Sequence, residues 1–118
     1  MDFIASILIV LVAALHVWFL VLEMVLWQKP LGLKTFRMSP EQAAATKILA
    51  ANQGLYNGFL AAGLIAGLLS PDPVSTAFKI FFLSCVIIAG LYGAWSVHKK
   101  IFFIQSLPAL LALVFVLL

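Results

Sequence analysis

Acidic side chains are scarce in this sequence: four among 118 residues, beside seven lysines and arginines. Charged residues of both signs make up 9% of the chain, where a water-soluble domain carries about 25%. So thin a polar coat excludes a globule that faces water on all sides. There is one cysteine, Cys85, which excludes an internal disulfide and any thiolate metal clip; in an apolar run it reads as a small core residue. No dense basic run occurs, because the net charge of +3 is spread among the connections, and nucleic acid is not an expected partner. A basic n-region is missing too. The chain starts Met1-Asp2, and its first apolar run continues from Phe3 to Trp27. That is roughly 25 residues, more than a secretory signal needs and enough to span a bilayer with some tilt.

What is present is apolar surface: 65% of the residues are hydrophobic, with a mean hydropathy of +1.21. The expected fold class is all-α, a polytopic membrane protein folded as one four-helix transmembrane bundle over residues 1–118. Punctuation divides it into helices at about 3–27, 40–69, 76–97 and 101–118. Pro30 and Gly32 break the first connection. Ser39-Pro40-Glu41-Gln42 has the form of a helix start, with Ser39 as N-cap, Pro40 in the first turn and Gln42 able to close a capping box. Ser70-Pro71-Asp72-Pro73 breaks the second connection, and His98-Lys99-Lys100 makes a tight basic third.

Loop charge sets the expected orientation. Lys29, Lys34, Arg37, Lys47, Lys99 and Lys100 flank the first and third connections, against Lys79 alone on the other side. The positive-inside rule then puts both basic connections in the cytoplasm and both termini outside a cell membrane crossed several times.

Polar residues within the spans are the natural candidates for a site, since each costs a few kcal/mol unless paired. His16 and Glu23 lie seven apart on the first helix and share a face. The second long helix carries Asn52, Gln53, Tyr56 and Asn57, read as one broad polar face opposite Gly54 and Gly58. Counted from the helix ends, Glu23, Asn52 and Gln53 fall at similar heights, roughly 6–8 Å into the hydrocarbon. Tyr92 and Gln105 join that layer from the remaining helices, with His16 and Asn57 deeper. A polar ligand-binding pocket opening from the cytoplasmic leaflet is therefore expected among His16, Glu23, Asn52, Gln53, Tyr56, Asn57, Tyr92 and Gln105. Each residue has a plainer role open to it. Glu23 and the amides can hydrogen-bond between helices as structural glue, and Trp27, Trp95 and the tyrosines suit an interfacial aromatic belt. No second His or Cys shares the depth of His16, so no metal or other cofactor is expected. Gly54-xxx-Gly58 signals close helix packing, either within the bundle or between subunits of a homo-oligomer.

The segment Leu22-Glu23-Met24-Val25-Leu26-Trp27, with His16 before it, and the run Asn52-Gln53-Gly54-Leu55-Tyr56-Asn57-Gly58 resemble a family of small bacterial and fungal membrane proteins known as a domain of unknown function. The likeness covers nearly the whole chain and implies four spans in a membrane, but no activity. Members often carry an acidic residue directly before the histidine. Here that place holds Leu15, which argues against a scheme with two acids on the first helix. Three functions stay open: binding or transport of a small or amphipathic molecule, acid–base catalysis by Glu23 or His16 on a lipophilic substrate, and a structural subunit. The expected partners are the bilayer, a small-molecule or lipid ligand, and a second copy through the Gly54/Gly58 face.

Overall fold

The structure is a computed structural model that describes residues 2–118. Among the described residues every regular element is helical: α1 (Asp2–Met24), α2 (Pro30–Phe36), α3 (Pro40–Leu69), α4 (Val74–Ser96), a π-helical turn (Phe102–Ser106) and α5 (Leu107–Leu117). Two of them, α1 and α4, are long and apolar enough to cross a membrane, with hydropathies of 2.7 and 2.1. The expectation of four such helices is thus met in part. Asn52, Gln53 and Asn57 dilute the apolar character of α3, and the run Phe102–Leu117 is a shorter apolar helix.

Local chemistry sets the ends. Helix α1 stops at Met24, three residues before the expected Trp27. The Leu26 amide reaches back to the Val21 carbonyl, which also accepts from Val25; that closure ends a helix rather than extending it. Lys29, directly before Pro30, is extended (φ −82°, ψ 163°), as the proline ring demands of its neighbour. The stretch expected as a loop then coils into α2, with Pro30 in its first turn. Arg37 closes α2 in the left-handed region at φ 53°, and the Met38 amide bonds to the Leu33 carbonyl. At the start of α3 the capping box forms: the Ser39 amide donates to Gln42 Oε1 (2.9 Å), and the Gln42 amide donates to Ser39 Oγ (3.1 Å). The last helix was expected to be continuous from Ile101. Its first part is instead a π turn, closed by the Leu107 amide on the Phe102 carbonyl. Pro108 is the cause, because it has no amide to donate and its ring crowds the carbonyl four residues back.

The chain packs as two compact units. One joins α1 through Ala14 to Leu60–Leu118; the other is Leu15–Phe59. In the first, Ile9 and Val12 of α1, Leu64 of α3, Leu83 and Val86 of α4 and Ala112 of α5 form a closed apolar core. Ser106, fully buried, donates its hydroxyl to the Ile87 carbonyl (2.8 Å) and ties the π turn to α4. Asp72 Oδ1 accepts the amide (3.0 Å) and hydroxyl (2.6 Å) of Thr76. Those two bonds, on an exposed carboxylate, hold it below the usual carboxylate range. Large apolar side chains also lie on the outer surface, with Phe3, Phe81 and Ile88 more than half exposed. Serine hydroxyls on the helices turn inward to their own backbone, as Ser70 to Ala66, Ser84 to Ile80 and Ser96 to Tyr92. Such back-bonding gives each hydroxyl a partner within its own segment.

Candidate functional site

The second unit holds the candidate site. Its scaffold is the last part of α1 against the first part of α3, and contact between them is close because α3 offers small residues there. A Cβ added at Gly54 would lie 2.6 Å from Met24 Cγ, 3.1 Å from Glu23 Cβ and 3.3 Å from the Leu20 carbonyl. At Gly58 it would meet Leu20 Cδ1 at 2.8 Å. The glycine face therefore packs within the chain, the first of the two uses expected for it.

That contact also decides which polar residue meets Glu23. Asn57 lies three residues after Gly54 and so shares its face. It is buried, and its Nδ2 donates to Glu23 Oε1 at 2.6 Å. The separation expected between a polar face and a glycine face fails at this residue. Asn52, Gln53 and Tyr56, expected beside Glu23, lie on the exposed side of α3, and Tyr56 packs its ring on Phe59. Asn57, expected to lie deeper than Glu23, is instead the residue that meets it, at a point where α1 stops one residue past Glu23 and residues 40–56 of α3 precede Asn57.

The other expected residues are placed as follows. His16 is fully buried and meets the Phe19 ring edge-on at 5.1 Å. It stands two turns from Glu23, roughly 10 Å along the helix. Tyr92 and Gln105 belong to the other unit, where Tyr92 is 66% exposed and packs on Trp95. Gln105 is half-buried in the π turn.

Beside Glu23 opens a cleft of about 320 Å³, lined by Glu23, Met24, Val25, Trp27, Gln28, Lys29, Lys47 and Ala51. Seven of these eight residues, all but Glu23, escaped the expected site or were given another role: Trp27 as a belt residue and the two lysines as markers of orientation. The turn after Met24 brings them together. Trp27 Nε1 donates to Thr46 Oγ1 at 3.2 Å, and the Trp27 ring packs on Phe36 of α2 at 4.8 Å. Gly32 lets α2 fold back, since a Cβ there would overlap the Leu26 carbonyl oxygen. The Lys29-Pro30-x-Gly32 spelling was the available signal. The cleft thus combines a carboxylate fixed by Asn57, the indole of Trp27 and two exposed ammonium groups.

Among known proteins, the profile of a family described as "Protein of unknown function (DUF1304)" matches residues 10–117. The "Uncharacterized protein YpaA" of Lactococcus lactis subsp. lactis is 28% identical over 116 residues, 97% of each chain. No solved structure matches significantly.

Proposed function

This chain belongs to the DUF1304 family, of unknown function, and on that premise we propose that it is a multi-pass membrane protein that binds a small amphipathic molecule in the Glu23 cleft. Membrane residence is supported by the two long apolar helices, the large exposed apolar side chains and the inward-bonded hydroxyls. At 1.5 Å per residue α1 is about 34 Å long, against a hydrocarbon core of roughly 30 Å. In this reading α3, α4 and the Phe102–Leu117 run span with α1, and both termini lie outside. Cysteine placed at Lys34 in a Cys85→Ser background should resist impermeant maleimide in intact cells; efficient labelling there overturns the orientation.

The observation that carries the binding reading is the pairing of Glu23 with Asn57 at the wall of a cleft that also holds Trp27, Lys29 and Lys47. A carboxylate serving only to join two helices needs no open space beside it. Here one oxygen is engaged by Asn57, leaving the group with further acceptor capacity. Exposed Met24 and Val25 give the cleft an apolar margin, which suits a molecule with a polar head and an apolar tail. Native mass spectrometry from mild detergent tests this directly. The parent should retain an amphiphile, and Ala51→Trp, which fills the cleft from its α3 wall, should release it. Equal retention by both proteins refutes the site.

A further inference from the structure

The cleft has charges of both signs, and they come from different elements. Its negative part is the Glu23 carboxylate at the end of α1. The last carbonyls of that helix have no partner further along it and add partial negative charge at the same end. Its positive part is Lys29, on the extended residue after the turn, and Lys47, one turn before Ala51 on α3. A purely anionic ligand would meet the carboxylate, and a purely cationic one would meet the lysines. A molecule with both charges a few bonds apart satisfies both parts.

Resting on the binding reading above, we infer that the cleft recognises a phosphate–ammonium zwitterion of the phosphoethanolamine type. The phosphate lies toward Lys29 and Lys47, and the primary ammonium toward Glu23. A primary ammonium fits better than a quaternary one. It donates hydrogen bonds to a carboxylate, whereas a quaternary group needs an open aromatic face, and Phe36 packs against the Trp27 ring. About 320 Å³ suits such a head and not a whole phospholipid. The tail of a lipid would leave past Met24 and Val25, both exposed.

Binding of short-chain phosphatidylethanolamine, short-chain phosphatidylglycerol and soluble glycerophosphoethanolamine to the full chain in maltoside micelles provides the test. The ethanolamine lipid should bind about tenfold more tightly than the glycerol lipid, the worth of one charge-assisted hydrogen bond. Glu23→Gln keeps an acceptor for Asn57 and should abolish that preference, weakening the ethanolamine lipid through loss of the ammonium's partner and tightening the glycerol lipid through loss of the opposing charge. Lys47→Gln, at an exposed position, should weaken both lipids. Soluble glycerophosphoethanolamine binding as tightly as the lipid assigns a free solute as the ligand, and much weaker binding assigns a lipid head. Equal affinity for the two lipids, or a preference that survives Glu23→Gln, overturns the zwitterion assignment. Failure of all three probes to bind, with no amphiphile retained by the parent, overturns the binding reading itself.

Discussion

Replacing Asn57 by alanine removes the donor that holds Glu23, and the size of the loss follows from where the pair sits. Interhelical hydrogen bonds between membrane helices average about 0.6 kcal/mol and reach about 1.7. Bonds to charged groups in proteins run about 1.5–3 kcal/mol. The Asn57–Glu23 bond is short, at 2.6 Å, and its donor is buried, so it belongs near the top of the first range, at about 1.5 kcal/mol. Asn57→Ala should cost more than that, about 2–3 kcal/mol, since it also leaves a half-buried carboxylate without its partner. Glu23→Gln should cost less than about 1 kcal/mol, because the amide oxygen still accepts. A double-mutant cycle with Glu23→Ala and Asn57→Ala isolates the pair. It can be measured by reversible unfolding of the protein in mixed maltoside–SDS micelles. A coupling energy below about 0.3 kcal/mol would mean that the bond contributes nothing in lipid, and the account of Glu23 as a positioned group would fall with it.

The packing of α1 on α3 gives a second test. Gly54→Leu should destabilise the protein in the same assay by about 2 kcal/mol through overpacking against Glu23 Cβ and the Leu20 carbonyl; a neutral result would mean that the two helices do not approach there. Ser39→Ala should lower stability by about 1 kcal/mol by opening the capping box, with hydrogen exchange rising at the first amides of α3; an unchanged exchange pattern would contradict it. Asp72 gives the start of α4 a pH dependence, because its folded pKa is lowered by the hydroxyl and amide of Thr76. Its contribution is complete above the usual carboxylate range and disappears as pH falls through the lowered folded value. The parent should therefore weaken below about pH 4 by more than Asp72→Asn does. Parallel acid profiles of the two proteins would count against the Thr76 contacts.

Helix formation and most of its punctuation were legible in the residues because their causes are local. Pro40 after Ser39, with Gln42 three residues beyond the cap, spells an α3 start that needs no distant partner. Ser70-Pro71-Asp72-Pro73 ends α3 for reasons contained in four residues. Apolar length alone marks α1 and α4. Pro108 was equally visible, but its effect was not, since a proline near the start of a helix can sit in the first turn or widen the turn before it.

The partner of Glu23 was of another kind. Sequence spacing places Asn52, Gln53, Tyr56 and Asn57 within two turns of one helix, and any of them is chemically able to meet a carboxylate. The choice depends on how far α3 extends past the end of α1 and on how closely their backbones approach, two quantities fixed by contacts between residues some thirty positions apart. Gly54 draws the helices together, so the residue one turn further along the glycine face, Asn57, reaches Glu23 and the other three are left outside. The cleft was hidden for the same reason. Lys29 and Trp27 line one cleft with Lys47 beside a turn that Gly32 allows, and no periodicity along the chain records a turn of that kind. Composition and local signals determined what the helices are made of and where most of them stop. Only tertiary packing, which acts through backbone proximity and not through residue type, decided which polar groups share a site.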